Sequence, residues 1–218
     1  MTPSSPTLRI VHAADEFVVV DKPEGMLSVP GKGPDRQHCV VSVVRELFPR
    51  AEGPLVVHRL DMDTSGLLVV ALTSAMQRAL SMEFEQRRVH KRYIALLKGE
   101  VTHADRGTVD AALRLDPERR PYQVHDELMG RPALTHWRIL AREPGRTRVE
   151  LTPITGRTHQ LRVHAALARP IGIGHPIIGD ILYAPNDGGA RLMLHAATLE
   201  FTIPGTTNRM TFNSEPGF

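Results

Sequence analysis

Short apolar runs separated by polar turns dominate the chain, and this pattern predicts many strands and few helices. Runs of a few residues rich in Val, Ile and Leu are typical of strands, especially where turn residues bound them. Strands are therefore predicted at Leu8–Val11, Glu16–Asp21, Leu55–Leu60, Leu67–Leu72, Lys91–Gly99, Gly107–Leu115, Leu134–Ala141 and Arg148–Thr152, with two more inside Arg191–Phe212.

Three other stretches repeat apolar residues at helical spacing. The first covers Val40–Phe48. A second helix is predicted from Ser74, which would form a capping box with Gln77, and a third from a cap at Thr158 to Ala168. Because strands outnumber helices and short turns join many of them, the pattern predicts an α+β fold. Its centre would be a mixed, largely antiparallel β-sheet flanked by a few helices.

The composition fits one globular domain over residues 1–218, with an unstructured start at residues 1–7. Of the 218 residues 41% are apolar, which is enough for a sizeable core. Cys39 is the only cysteine, so an internal disulfide and a cysteine zinc cluster are excluded. No secretion signal and no apolar run of membrane-spanning length is present. We therefore expect a soluble, cytoplasmic protein without a membrane partner.

The positive charge of the chain comes mostly from arginine. The formal net charge is +3, and the 27 basic residues are 23 arginines and 4 lysines. Arginine binds phosphate through two parallel hydrogen bonds and stacks on bases, so the composition permits an RNA partner. A GC-rich genome would produce the same bias without any function, so the charge alone does not require RNA.

A polar segment between two apolar runs holds the candidate chemistry. His58, Arg59, Asp61 and Asp63 follow the predicted strand Leu55–Leu60 within a few residues. Ionisable side chains at the end of an apolar strand need a partner or a function, because burying an unpaired charge is unfavourable. The segment also has the composition of an ordinary turn, so both interpretations stay open here.

Known motifs that begin with Asp-x-Asp fit this segment to different degrees. A calcium-binding EF-hand loop is excluded, because its twelfth position requires glutamate and Leu72 stands there. An aspartate-nucleophile phosphatase using Asp61 and Asp63, with Asp180 as a magnesium ligand, stays an alternative, although the expected alternation of helices and strands is missing.

Glycosidase and metal sites are less well supported. A pair of carboxylates could cleave a glycoside, but one tryptophan and three tyrosines give little aromatic surface for a sugar. His159 and His164 are five positions apart, which does not fit the i, i+4 pair of a helical zinc site. We therefore predict no metal site.

Three separated segments together carry a resemblance to a known family. They are His58-Arg59-Leu60-Asp61 with Thr64-Ser65-Gly66, then Lys91-Arg92-Tyr93, then residues 156–164 with the sequence GRTHQLRVH. Supporting matches are Asp21-Lys22-Pro23 with Gly25, residues 174–180, Tyr183, and residues 192–196. In this order the segments resemble the RluA-type pseudouridine synthases over nearly the whole chain, from about Ile10 to Phe212.

The resemblance implies the conversion of uridine to 5-ribosyluracil within RNA. Asp61 matches the family's invariant aspartate. It would act either as a nucleophile at C1′ or as a base at C2′ of the ribose, and the family leaves both routes open. In both routes the glycosidic bond breaks, the uracil rotates while held, and C5 joins C1′. The reaction needs no outside atom and no redox change, so no cofactor is implied.

The same resemblance implies roles for further residues. Arg162 would pair with Asp61 and favour its ionised form, and Tyr93 would stack on the target base and assist proton removal from C5. A surface arginine and a core aromatic are the ordinary alternatives. Substrate contacts are implied for His58, Arg59, Thr64, Arg157, His159, Gln160 and Leu194. Among these, Arg59 would hold the place or the phosphate of the flipped-out nucleotide, and Leu194 would line the pocket or pack in the core.

The resemblance also implies the pseudouridine synthase catalytic fold, with an active-site cleft across the sheet. Family members often carry an RNA-binding domain before the catalytic one. Here the resemblance begins near residue 1, so we expect no separate N-terminal RNA-binding domain. The compact form is most similar to members that modify the tRNA anticodon stem-loop and large-subunit rRNA. The expected partner is therefore structured RNA, a stem-loop of tRNA, of rRNA or of both, bound by a monomer.

One departure from the family pattern affects the site. The spacer Ala165–Ile173 is longer than the pattern suggests, which puts any transfer of substrate contacts in that region in doubt. A catalytically idle RNA-binding relative is a further alternative. The presence of Asp61, Tyr93 and Arg162 argues against it, because an idle relative has no need to keep the three together.

Overall fold

The computed structural model describes residues 7–185 and 189–218. These ranges contain three α-helices: α1 (Val40–Leu47), α2 (Ser74–Glu85) and α3 (Gln160–Ala166). They also contain eleven strands: β1 (Arg9–Ala13), β2 (Phe17–Lys22), β3 (Ser65–Ala71), β4 (His90–Lys98), β5 (Arg106–Asp110), β6 (Leu113–Leu115), β7 (Gln123–His125), β8 (Leu134–Glu143), β9 (Arg146–Pro153), β10 (Leu194–Thr202) and β11 (Arg209–Asn213). The unstructured start predicted at residues 1–7 lies outside the described residues except for Thr7.

The chain divides into two compact units. The first consists of residues 1–91 and 196–217, and the second of residues 92–195 and 218. Because β4 and β10 cross this division, each unit receives part of both strands. The expectation of a single catalytic domain over the whole chain stays a prediction.

The first unit is built on the strand order β1-β2-β3-β10, with β11 beside β10. The pairs β1–β2, β2–β3 and β10–β11 are antiparallel. Its core joins apolar residues of these strands to Met76 and Leu80 of α2. All seven residues of β3 are buried, so both faces of this strand are covered. This explains why its sequence is continuously apolar and does not alternate.

The second unit is built on the strand order β4-β9-β8-β5, and β6 pairs with β7 apart from it. The pairs β4–β9, β8–β9 and β5–β8 are antiparallel. The β8–β9 hairpin turns at Pro144 and Gly145, where the φ of Gly145 is 73°. Its core packs Leu97, Trp137 and Leu151 against Leu161 of α3. The predictions of this hairpin and of largely antiparallel strands with a few helices are confirmed.

The predicted strand Leu55–Leu60 is wrong. Only Val56 forms a bridge there, to Val70 of β3. Leu55 has a left-handed φ of 59°, and the amide of Val56 donates back to the carbonyl oxygen of Pro54 at 2.6 Å. The chain therefore turns at this point and does not extend. The predicted strand Gly107–Leu115 is divided into β5 and β6, and β7 was not predicted.

The cap predicted for α2 is also wrong, by one residue. Thr73, and not Ser74, caps the helix, with its Oγ1 accepting a hydrogen bond from the amide of Met76 at 3.1 Å. The side-chain nitrogen of Gln77, Nε2, donates to the carbonyl oxygen of Val56 at 2.9 Å, so this side chain closes no capping box. Two adjacent hydroxyl residues are similar cap candidates in the sequence, and only the path of the backbone decides between them.

The start and end of α3 likewise differ from the prediction. The residue before the helix is His159, in a left-handed conformation with φ 52°, and not Thr158. The helix ends at Ala166, two residues before the predicted Ala168. The left-handed residue turns the chain sharply into the helix, so α3 begins without a side-chain cap.

Candidate active site

Asp61 lies in a tight turn that leads into β3 in the first unit. The amide of Thr64 donates to the carbonyl oxygen of Asp61 at 3.1 Å, and Thr64 itself is buried. The Asp61 side chain is half-buried. Gly66 follows with φ 111°, and a Cβ there would collide with the backbone of Ala196. Only glycine therefore allows the chain to leave this turn and run so close to β10.

Lys22, at the buried end of β2, holds the Asp61 turn. Its ammonium donates to the carbonyl oxygens of Pro23 at 2.9 Å, Met26 at 2.8 Å and Met62 at 2.8 Å. Burial lowers the pKa of Lys22 to about 8, against the opposing effect of the Asp63 and Asp61 carboxylates, which raise it. A positive charge is thus placed near the two carboxylates of the turn. In the sequence, Lys22 is part of a supporting family match, but no role follows from that match.

Ser28 fixes the residue that precedes Asp61. Its hydroxyl donates to the carbonyl oxygen of Leu60 at 2.8 Å and accepts from the amide of Leu60 at 3.1 Å. Both side chains are buried. The backbone on either side of Asp61 is therefore held by side chains that are far from it in the sequence. Ser28 binds the residue before Asp61, and Lys22 binds the residue after it. No pattern in the sequence indicated Ser28.

His58 joins the segment before Asp61 to β3 and α2. Its ring stacks on Phe84 with the centroids 4.3 Å apart, and its Nε2 accepts from the amide of Val69 at 3.2 Å. Burial, with a smaller contribution from Lys91, lowers the pKa of His58 to about 3. The imidazole is therefore neutral at physiological pH, with its proton on Nδ1. These contacts favour a positioning role, and the predicted contact with substrate stays a prediction. Arg59, by contrast, is exposed.

Arg162 is buried on α3 in the second unit, and its carboxylate partner there is Asp180. The Arg162 Nε donates to Asp180 Oδ2 at 2.8 Å, and Nη2 donates to Oδ1 at 2.6 Å. Both side chains are almost fully buried, with 3% and 0% of their surface exposed. From the sequence, the one role considered for Asp180 was that of a magnesium ligand in the phosphatase alternative. The signal that could have identified it was the Gly179-Asp180 match to the family.

The entrance to α3 is tied to the turn that carries Asp180. Tyr183 lies in that turn, and its hydroxyl accepts from the amide of Gln123 at 2.8 Å. The same hydroxyl lies 2.9 Å from Nδ1 of His159. Since the amide of Gln123 supplies one proton to this oxygen, the hydroxyl proton is available for the imidazole. His159 is thus bound to the protein through Nδ1, and its predicted contact with substrate stays a prediction.

Gln160 and Arg157 also have partners inside the second unit. The Gln160 side-chain oxygen accepts from Thr155 Oγ1 at 2.7 Å and from the amide of Arg157 at 3.0 Å. Its nitrogen donates to the carbonyl oxygen of Leu134 at 3.0 Å and lies 3.0 Å from the hydroxyl of Thr135. These bonds favour a structural role for Gln160, which shapes the loop before α3. Its predicted contact with substrate stays a prediction.

Tyr93 and Leu194 contribute to the apolar core of the second unit. Leu194 is buried in this core, and Tyr93 packs against it while partly exposed. Tyr93 pairs with Leu151 across β4 and β9. Packing in the core is therefore one reason for an apolar or aromatic side chain at both positions. The roles assigned to Tyr93 and Leu194 toward the substrate stay predictions.

The candidates fall into two groups by unit. His58, Arg59, Asp61 and Thr64 belong to the first unit; Tyr93, Arg157, His159, Gln160, Arg162 and Leu194 belong to the second. Within each group the structure adds residues that hold the candidates: Lys22 and Ser28 in the first, Asp180 and Tyr183 in the second. The pairing of Arg162 with Asp61 stays a prediction.

In residues 7–185 and 189–218 no group of three or more His, Cys, Asp and Glu side chains is arranged to hold a metal ion. The helices within these ranges all fall short of the length or the hydropathy that a membrane-spanning helix requires.

Comparisons with known proteins agree with the resemblance. Residues 16–167 match the family model described as RNA pseudouridylate synthase. The chain is 44% identical to the dual-specificity RNA pseudouridine synthase RluA of Pasteurella multocida over 99% of this chain and 96% of that protein. It is 42% identical to the RluA of Escherichia coli K12 over the same shares.

Solved structures show the same fold. Human RNA pseudouridylate synthase domain containing 1 matches 100% of this chain and 87% of its own, with a TM-score of 0.78 and 33% identity. Human RNA pseudouridylate synthase domain containing 4 matches 95% of this chain and 88% of its own, with a TM-score of 0.75 and 26% identity. The predicted fold class is confirmed. The chain therefore belongs to the RNA pseudouridylate synthase family and is a pseudouridine synthase, an isomerase that acts on RNA.

Proposed function

We propose that the protein isomerises specific uridines in structured RNA, in a tRNA anticodon stem-loop, in large-subunit rRNA or in both. The observation that carries this proposal is the 44% identity over 99% of the chain to a protein named a dual-specificity RNA pseudouridine synthase. A match of this extent includes all of the candidate residues. The aspartate-nucleophile phosphatase alternative is set aside, because the family match over residues 16–167 includes Asp61 and Asp63.

Asp61 is the proposed catalytic residue. Asp61 follows one of two routes. In the first, its carboxylate displaces N1 from C1′, and the ester bond that it forms to C1′ breaks when C5 attacks C1′. In the second, it takes the C2′ proton as the C1′–N1 bond breaks and returns it to C2′ when C5 bonds to C1′. After the uracil rotates, C5 bonds to C1′, C5 loses its proton and N1 gains one, so atoms and electrons balance without a co-reactant. The half-buried position of Asp61, with the backbone on both sides held by Ser28 and Lys22, supports this role. A reacting group must be held close to its productive geometry.

Tyr93, Arg162 and Arg59 have proposed roles around the same chemistry. Tyr93 stacks on the rotating uracil and assists loss of the C5 proton. Arg162 favours the ionised carboxylate of Asp61. Arg59 occupies the space left by the flipped nucleotide or binds its phosphate, since extracting a base from its stack costs a few kcal/mol. The exposure of Arg59 and the partial exposure of Tyr93 support contact with RNA.

The wider organisation is part of the same proposal. The enzyme works as a monomer, and it acts in the cytoplasm, where tRNA and ribosomal RNA are found. No cofactor takes part in the proposed reaction.

Mapping of pseudouridine in total RNA tests the proposal. RNA from cells with and without the gene is compared position by position, and re-expressed wild type and Asp61→Asn serve as the matched pair. We expect sites in a tRNA anticodon stem, in large-subunit rRNA or in both to disappear without the gene. Wild type, but not Asp61→Asn, should restore them. An unchanged map, with the purified protein still binding RNA, would instead identify a catalytically idle relative.

A further inference from the structure

We propose that Asp180 is a positioning residue for the isomerisation: with Tyr183, it fixes the guanidinium of Arg162 in the orientation that catalysis requires. This inference rests on the proposed role of Arg162. The two hydrogen bonds from Arg162 to Asp180, at 2.8 and 2.6 Å, are parallel and bidentate. Such a pair fixes the plane of a guanidinium as well as its distance, which a single bond does not do.

Asp180 can orient Arg162 because its own carboxylate is fixed. Oδ1 accepts hydrogen bonds from the amides of Leu182 at 3.0 Å and Tyr183 at 3.1 Å. The Asp180 carbonyl oxygen accepts from the amide of Ala184 at 2.8 Å, which closes the turn. The residue before it, Gly179, has φ 77° and no room for a Cβ against the backbone of Arg191. The carboxylate cannot rotate without breaking this turn.

Tyr183 holds the second side of Arg162. Its ring lies 5.4 Å from the guanidinium carbon, the arrangement of a cation–π contact. Its hydroxyl is bonded to the amide of Gln123 and to His159, so the ring does not move freely. Arg162 is therefore bound at one edge by Asp180 and on its face by Tyr183, and both come from one turn of the chain.

The charges support positioning as the function of this contact. A buried guanidinium needs a counter-charge, and Asp180, with a side chain that has 0% of its surface exposed, provides it within the second unit. Two of the five N–H groups of Arg162 bind Asp180, so the plane that this pair fixes also sets the positions of the other three N–H groups. Asp180 thus compensates the charge and sets the direction in which these three N–H groups point.

The test compares Asp180→Asn with a matched control, Asp126→Asn. Asp126 makes the same kinds of contact elsewhere in the second unit. Its Oδ1 accepts from the amides of Leu128 and Met129, and its Oδ2 accepts from Arg114 at 2.6 Å. Both substitutions therefore remove one charge from a turn-capping, arginine-bound carboxylate. Only one of them changes the group that holds Arg162.

Steady-state tritium release from 5-labelled uridine in a saturating folded stem-loop measures kcat, and filter binding measures the Kd for the RNA. We expect Asp180→Asn to lower kcat roughly 10- to 100-fold, the effect of a misplaced catalytic group, with the Kd for RNA changed less than about threefold. Asp126→Asn should lower the Tm and leave kcat unchanged. Equal effects of the two substitutions on kcat would overturn the inference.

Arg162→Met separates this inference from the proposed function. If Arg162→Met keeps its kcat, the proposed role of Arg162 is wrong and the inference is wrong with it. If Arg162→Met is inactive while Asp180→Asn is fully active, only the positioning role is wrong. Should Asp180→Asn not fold, Tyr183→Leu takes its place. We expect Tyr183→Leu to lower kcat. Tyr183→Phe keeps the ring and should retain most of the wild-type kcat. An unchanged kcat in Tyr183→Leu would overturn the inference.

Discussion

Lys22 and Met62 are joined by a hydrogen bond of 2.8 Å, from the lysine ammonium to the methionine carbonyl oxygen, across 40 residues of sequence. Met62 is the neighbour of Asp61, so the bond ties the buried end of β2 to the turn that holds the catalytic candidate. The same ammonium binds the carbonyl oxygens of Pro23 and Met26. The shape of the Asp61 turn therefore depends on a charged group in the interior of the first unit.

Lys22→Met should destabilise the protein and slow pseudouridine formation. Methionine removes the charge, but it leaves three carbonyl oxygens without this donor, and each unpaired carbonyl costs roughly 1–3 kcal/mol. We expect a lower Tm at pH 7 and a kcat reduced about tenfold or more, because the Asp61 turn is no longer held. Lys98→Met, at an exposed position, is the control and should change neither quantity. A wild-type kcat in Lys22→Met would show that the bond to Met62 does not position Asp61.

The pH dependence of stability should report Lys22 directly. Burial lowers its pKa in the folded state to about 8, below the 10.5 of an exposed lysine. Between these pH values the unfolded chain binds more protons than the folded one, so this group makes stability rise with pH. Urea unfolding at pH 7.5 and pH 9.5 measures this effect. The free energy of unfolding should rise more between the two pH values for wild type than for Lys22→Met. Equal gains in the two proteins would place the titrating group elsewhere.

Asp61→Asn should abolish pseudouridine formation and leave RNA binding within about tenfold of wild type. The substitution keeps the shape of the side chain and removes the nucleophile or base, while affinity for RNA comes mostly from phosphate contacts. Tritium release and filter binding measure the two effects. Asp63→Asn removes the other carboxylate of the same turn and should keep the activity. Full activity in Asp61→Asn would remove Asp61 from its proposed role.

Double substitutions should identify the charge partner of Arg162. Arg162→Met should lower the Tm, because it strands the buried Asp180 carboxylate, and breaking a buried pair costs roughly 3–5 kcal/mol. Adding Asp180→Asn should recover part of this loss, a non-additive result expected for groups in contact. Adding Asp61→Asn to Arg162→Met tests the pairing that the resemblance implies. Simple additivity of those two substitutions in thermal melts would show that Asp61 is not a partner of Arg162.

Acid should destabilise the fold through His58. Its pKa is lowered to about 3 by burial, so in the folded state it stays neutral down to that pH. The unfolded chain takes up the proton near pH 6.5. The contribution of His58 to the free energy of unfolding is therefore fully present above pH 6.5. It falls as the pH drops towards 3, by about 1.4 kcal/mol per pH unit at most. Glutamine does not titrate, so the free energy of unfolding of His58→Gln, measured with urea, should fall less between pH 7 and pH 4.5 than that of wild type. His38→Gln, at an exposed position, is the control, and its free energy of unfolding should fall as much as that of wild type.

The sequence by itself determined the family and most of the strands, and it supplied the residues that are proposed to carry the chemistry. These follow from local signals: apolar runs such as Phe17–Val20, the turn at Pro144 and Gly145, and motifs such as His58-Arg59-Leu60-Asp61. Local signals failed where a few residues were compatible with two different local structures. Thr73 and Ser74 are both possible caps, and the apolar run from Leu55 turns at a left-handed residue where a strand was expected.

Only the tertiary structure decided which groups hold the candidates. Lys22 and Met62 are 40 residues apart, Ser28 and Leu60 are 32 apart, and Arg162 and Asp180 are 18 apart. A buried charge or carbonyl must find a partner, but the sequence does not say which of many distant groups will be nearest once the chain has folded. The choice of Asp180 for Arg162 depends on the packing of α3 against the turn at 180–184, a long-range arrangement that no local pattern specifies.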